Sequence, residues 1–209
     1  MNHGPLLFFG VLATLAASWL GLVAVPRQQL GTLDADLSTN AANVVVTHPP
    51  ARSGEAAQGH AVYVSLGCAA CHTQQVRPEN GGSDVARGWG VRRSVARDYL
   101  RDEPVQLGAS RLGPDLANFG DRLGTNAFNL VRLFNPRLVV TKSTCEGAPY
   151  LFEVRTLTGE PSAAALALGE PGREVVPKPA ARQLAAYLAS LSSGAELPEA
   201  PLPVKEEAK

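Results

Sequence analysis

Gly4 to Val25 reads GPLLFFGVLATLAASWLGLVAV, 22 apolar or small residues inside a 26-residue stretch with no formally charged side chain. At about 1.5 Å per residue, such a helix spans a hydrocarbon layer of about 30 Å. A core helix of a soluble domain is seldom apolar on every face over this length. A cleaved signal peptide has a basic leader, a shorter apolar run and a small-x-small cleavage site. Here only His3 and the amino terminus precede the run, and it ends in Val25-Pro26-Arg27. Residues 1–26 are therefore expected to form an uncleaved transmembrane anchor, with Trp19 near one interface. Arg27 and Arg52 follow the run and no Lys or Arg precedes it, so counting basic residues leaves its orientation open.

The remainder of the 209 residues suits one domain with appendages. Nineteen basic side chains balance nineteen acidic ones, which removes the electrostatic case for nucleic-acid binding. Three cysteines cannot all pair within the chain, so a disulfide scaffold is excluded, and the single methionine is Met1. Residues 27–52 read as a polar connector with a β-branched patch, Val44 to Thr47, followed by the helix-averse His48-Pro49-Pro50. A helix is expected from about Ser53 to Leu66, ended by Gly67, and another from Asn126 to Phe134, stopped by Pro136. Residues 77–111 read as irregular and hold seven arginines among five acids, a run that local ion pairing explains well. The last helix starts at Pro179, and Leu184, Tyr187, Leu188 and Leu191 form a single stripe at helical spacing. The domain is expected over 53–193, and 194–209, rich in Pro, Glu and Ala, reads as a disordered tail.

Cys68-Ala69-Ala70-Cys71-His72 is the element that carries chemistry. C-x-x-C-H is the attachment pattern of c-type haem: two thiols form thioethers to the vinyl groups, and the next residue, His72, is placed to ligate the iron. A thioredoxin-like C-x-x-C would follow a strand, and none is expected here. A zinc site using Cys68, Cys71, His72 and Cys145 stays open, although adjacent Cys71 and His72 make a tetrahedral chelate awkward. The flanking helices fit a small all-α cytochrome c domain, with the first and last helices crossing. Gly113-Pro114-Asp115-Leu116 is placed to support the histidine, because the Pro114 carbonyl can accept the ring N–H and raise the ligand's basicity.

The chain resembles the membrane-anchored monohaem cytochrome c subunit of cbb3-type cytochrome c oxidases, the FixO-like family. The resemblance runs from Asn2 to Leu191. It rests on Asn2-His3-Gly4-Pro5-Leu6, on Tyr63 to Pro78 around the haem motif, on Asp98-Tyr99, Gly108 to Arg111 and Gly113 to Leu116, and on Pro149 to Glu153. It implies an all-α protein: a single N-terminal transmembrane helix and a small periplasmic cytochrome c domain with long loops. It also implies one covalent haem c held by Cys68, Cys71 and His72, with Pro114 supporting the histidine; the arginines of 77–111 can pair with haem propionates or with the partner subunit, and Arg77 and Arg111 lie closest to the haem motifs. The subunit is not an enzyme on its own. It takes electrons from another cytochrome c and passes them to the haem–copper catalytic subunit. Its place is the bacterial inner membrane, single-pass, with the domain in the periplasm, where c-type haem is attached. Nothing in the chain resembles an oxygen-reducing centre: there is no multi-helix membrane core and only four histidines.

One departure stands out. The family's distal iron ligand is a methionine in a Ser-x-Met-Pro context, and here the stretch reads Ser143-Thr144-Cys145-Glu146. Cys145 falls at the ligand position. It can bind iron, leave it five-coordinate, or yield to Lys142, His48 or His60. His60 is expected on the exposed face of its helix. A thiolate ligand favours ferric iron and lowers the potential relative to Met/His ligation. That opens a second class of function, a divergent redox or gas sensor. A structural zinc module is the remote third.

Overall fold

The computed structural model describes residues 3–39, 43–168 and 172–202. The chain divides into two compact units, one comprising residues 1–49 and 96–100, the other 50–95 and 101–209.

In the first unit, α1 (Gly4–Trp19) and α2 (Val25–Leu30) join through a π turn, Leu20–Ala24, into one helix of 27 residues. This is long and apolar enough to cross a membrane, and none of its apolar stretch is buried in the protein. The helix runs four residues beyond the expected end at Pro26. Proline there lacks the N–H that would reach Leu22 and its ring crowds that carbonyl. The π turn absorbs the mismatch, with the Val25 N–H donating to the Leu20 carbonyl. Thr14 satisfies its own hydroxyl by donating to the carbonyls of Gly10 and Val11, at 2.9 and 2.8 Å. The connector is not featureless. β1 (Asp36–Thr39) and β2 (Val45–His48) pair antiparallel, Asp36 opposite His48, so the β-branched patch becomes a strand. His48 is buried and bonds Asp98 at 2.7 Å, in the 3₁₀ turn Ala96–Tyr99.

Among the described residues, the second unit is built on three longer α-helices and one short one. In α3 (Gly54–Ser65), Ser53 caps the start by accepting the Ala56 N–H at 3.3 Å. A short α4 (Phe119–Leu123) precedes α5 (Asn126–Phe134), capped by Thr125 through the Phe128 N–H and ended before Pro136. Phe152–Thr156 (β3) and Arg173–Pro177 (β4) form a second antiparallel ribbon, Val154 opposite Val175. α6 (Pro179–Ala189) starts on its proline. The expectation of an all-α protein thus gives way to helices with two short β ribbons. The strands are short runs, three of them containing Val, that carry no helical spacing of apolar residues.

The core sits where α3 and α6 meet. Leu184, Tyr187, Leu188 and Leu191 are all buried there, together with Tyr63, Phe119, Leu151 and Phe152. The contact is close at Gly59, where a β-carbon would lie 1.9 Å from the Gln183 carbonyl oxygen. His60, one residue on, is buried at this junction rather than exposed, with its ring 5.3 Å from that of Tyr187. Residues 194–202 depart from the expected disordered tail. Leu197 and Ala200 are buried with Val95, Leu197 bridges to Ala200, and the Arg92 guanidinium donates to the Ala195 carbonyl at 2.5 Å. Arg93 donates likewise to the Glu199 carbonyl, so two cations and the buried Leu197 seat this proline-rich turn. The remainder of the expected tail, 203–209, lies outside the described residues.

Candidate functional site

The cysteine motif begins where α3 stops. Gly67 adopts a left-handed conformation (φ 67°), which ends the helix at low steric cost. A 3₁₀ turn over Cys68–Ala70 follows, and the N–H groups of Cys71 and His72 both donate to the Cys68 carbonyl, at 3.2 and 3.0 Å. The turn gathers two thiols and an imidazole in five residues. Cys68 is half-buried against the core and Cys71 is exposed.

A second segment is laced to this turn backbone to backbone. Ala109 N–H donates to the Ala69 carbonyl, Gly113 N–H to Cys71, Gln74 N–H to Leu107 and Leu116 N–H to Thr73, all at 2.8–3.0 Å. The lacing brings Pro114 to His72, whose Nδ1 donates to the Pro114 carbonyl at 2.8 Å. A carbonyl can only accept, so Nδ1 carries a proton, and Nε2 is the ring nitrogen that the neutral imidazole offers to a metal. The ring lies on Gly113, where a β-carbon would stand 2.2 Å from Cε1. Gly108 (φ 82°) leaves equally little room, since a β-carbon there would stand 2.4 Å from the His72 carbonyl oxygen.

The arginines singled out as companions of the cofactor have a different partner. Arg77 and Arg111 converge on Asp84, whose carboxylate is fully buried, with Nη–Oδ1 distances of 2.9 and 2.6 Å. Arg111 also donates to the Gln75 carbonyl at 2.5 Å and lies 3.7 Å from Asp115. Burial pushes the Asp84 carboxyl up. The hydrogen bonds from Arg77 and Arg111 and from the Arg77 backbone N–H outweigh this together, so it lies well below the usual carboxylate range. Trp89 packs under the guanidinium groups of Arg87 and Arg111, 5.0 and 5.6 Å from the ring centre. The two arginines thus clamp the loop beneath the motif. Sequence reasoning passed over Asp84. The available signal was an acid seven residues after an arginine in a run otherwise short of buried apolar residues.

The distal segment hangs between two anchors. Pro136–Leu138 continues α5 as a 3₁₀ turn, and Ala148 N–H donates to the Leu133 carbonyl at 2.6 Å. Between them, Cys145 is exposed. Its backbone N–H donates to Ser143 Oγ at 3.2 Å, and its thiol donates to the Glu146 carbonyl at 3.4 Å. Partial burial pushes its pKa above the ordinary thiol value, and Cys71 adds to the rise. Burial pushes Cys68 up to about 11, with Cys145 and Cys71 adding to it. Among the described residues, however, no group of three or more His, Cys, Asp or Glu side chains is gathered as a metal site, so Cys68, Cys71, His72 and Cys145 do not form a zinc tetrahedron. Of the alternative ligands, His48 bonds Asp98, His60 lies among α3 and α6 side chains, and Lys142 is exposed.

These residues fit a c-type haem. The donor set is two thiols at the attachment spacing and an imidazole that offers Nε2 when neutral. Gly113 lies against the ring and Gly108 against the His72 backbone, so the two glycines admit the histidine where side chains would clash. A helix-flanked C-x-x-C-H turn with this proximal support, behind a helix long enough to span a membrane, defines an anchored cytochrome c-type domain. The chain belongs to the FixO family, the mono-haem subunit of cytochrome c oxidase; the family model matches residues 7–173. No curated protein matches the chain. The family implies a haem cofactor and a place in an oxidoreductase complex, and the long N-terminal helix fits a single-pass anchor.

Proposed function

We propose that this chain is the electron-relay subunit of a cbb3-type oxidase. In this reading Cys68 and Cys71 attach one haem c and His72 ligates its iron. The chain passes electrons from a donor cytochrome c toward the haem–copper catalytic subunit, and the domain lies in the periplasm. When bound, the haem supplies one-electron exchange with no bond made to a substrate, so no acid, base or nucleophile is required of the chain. The protein's own task is to hold and tune. The observation that carries the reading is the proton on His72 Nδ1, held by Pro114, which makes Nε2 the nitrogen that the neutral imidazole offers beside two thiols at the attachment spacing. Cys145 supplies the distal ligand, supported by its position on the loop after α5 and the exposure of its thiol. A cysteine in place of methionine gives a lower potential than Met/His ligation.

The test is expression of the full chain with a haem-attachment system, followed by denaturing electrophoresis and an absorption spectrum. Haem should stay covalently attached in the wild type and be lost from Cys68→Ala/Cys71→Ala. A colourless wild-type protein sinks the reading. The exposure of Cys145 also favours the sensor class, in which the distal side opens to a small gas. Copurification with a catalytic subunit and no carbon monoxide binding favours the relay, and the converse pair of results favours the sensor.

A further inference from the structure

The buried Asp115 carboxylate is not needed to attach haem or to ligate iron, yet it sits at the closest junction of the site. It is fully buried. One oxygen accepts from the Thr73 hydroxyl at 2.5 Å and from the Gln75 N–H at 2.8 Å; the other accepts from the Ala117 N–H at 2.9 Å. Thr73 follows His72 in the chain, and Asp115 follows Pro114. Two peptide bonds and two hydrogen bonds therefore close a ring: His72 to Thr73, Thr73 to the Asp115 carboxylate, Asp115 to Pro114, and the Pro114 carbonyl back to His72 Nδ1. Arg111, held by Asp84, flanks the carboxylate at 3.7 Å. Backbone bonds from Gly113 to Cys71 and from Leu116 to Thr73 hold the same two segments together, and the ring acts within that lacing on the fine aim of the Pro114 carbonyl. The stronger of the two, a short charge-assisted O–H···O⁻ bond, dictates the aim of the weaker one.

We propose that Asp115, acting through Thr73 and Pro114, is a positioning residue that sets the hydrogen bond on His72 Nδ1 and thereby the electron-donating strength of the proximal ligand. This rests on the haem reading above. A well-aimed acceptor at Nδ1 makes the imidazole more basic at Nε2 and stabilises ferric iron. A ring that opens lets the Pro114 carbonyl drift, weakens the ligand and raises the potential. A purely electrostatic role for the buried anion predicts something different. Removing the Thr73 hydroxyl would leave the carboxylate with fewer donors and a stronger negative field, which lowers the potential.

The experiment compares Thr73→Val, Thr73→Ala and Thr73→Ser with the wild type, each as the full chain in detergent with haem attached. Readouts are the reduction potential and the g values of the ferric spectrum. Thr73→Val and Thr73→Ala should raise the potential and shift the g values, and Thr73→Ser, which restores the hydroxyl, should return both to wild type. Asp115→Asn should move both in the same direction as Thr73→Val. A Thr73→Val or Thr73→Ala protein that carries haem but shows an unchanged or lowered potential overturns the inference and leaves the haem reading standing. A wild type without covalent haem removes the haem reading itself.

Discussion

The two sides of the site are built in opposite ways. On the proximal side, His72 is enclosed by Gly108, Gly113, Pro114 and a buried network of Thr73, Asp115, Arg111 and Asp84. Nearly every polar atom there has a partner within the domain. On the distal side, Cys145 stands exposed on a loop held by its ends and by one bond from Arg137 to the Ser143 carbonyl, and among the described residues its thiol bonds only the next residue's carbonyl. A site with one rigid wall and one yielding wall keeps the ligand needed for attachment constant. Position 145 is then open to substitution at little cost to the fold.

The contrast can be broken most sharply from the proximal side. Asp84→Ala leaves two guanidinium groups converging on a cavity, and the domain should lose about 3 kcal/mol in urea denaturation, at the low end for a buried pair because Arg77 reaches solvent. The pH dependence has a definite sign. The folded Asp84 carboxyl lies below its unfolded value of 3.8, so its contribution is fully present above about pH 4 and is lost as pH falls below that. The wild type should therefore lose stability in acid over this window, and Asp84→Asn should flatten that part of the profile. Gly113→Ala comes next. Its β-carbon has no room beside His72, and the segment is held by backbone bonds, so about 1–3 kcal/mol is lost. The low-spin spectrum should fade while the haem remains covalently attached. A normal spectrum would show that the proximal wall yields after all.

The distal side should respond to the same treatment with chemistry and little energy. Cys145→Met should shift stability by less than about 0.5 kcal/mol, as expected at an exposed position, yet raise the potential. Lys142→Ala, three residues away and equally exposed, should leave both the stability and the ferric electron paramagnetic resonance spectrum unchanged. A spectrum altered by Lys142→Ala and untouched at Cys145 would reverse the ligand assignment.

Much of the frame was legible along the chain. The Ser53 and Thr125 caps, the Pro136 stop and the Pro179 start each act within one helical turn, so α3, α5 and α6 begin and end close to where local rules place them. The cysteine motif is five contiguous residues, and the Pro114 carbonyl follows from what a ligating histidine needs. Other features were not legible, because each depends on a neighbour brought from a distance. Arg77 and Arg111 invite an anion, but whether that anion is a cofactor or Asp84 is decided by how residues 75–84 loop back. His60 falls on a helix with no marked apolar stripe, so only the arrival of α6 shows which face is covered. The β ribbons form from short runs that carry strand propensity without a partner in view. Leu197 lies in a composition typical of disorder and is buried because Arg92 and Val95 wait for it.

The opening apolar run and the cysteine motif needed no fold to be read. A span of hydrocarbon length without charge has one stable environment, and two thiols with an adjacent imidazole have a narrow chemistry. The odd third cysteine, standing where a methionine belongs, was equally visible as a question. Tertiary structure alone decided that His72 is protonated on Nδ1, that Asp115 closes a ring around it, and that the arginines serve Asp84. Hydrogen bonds and desolvated charges are properties of pairs, and the members of the two pairs around His72 come from segments 42 residues apart.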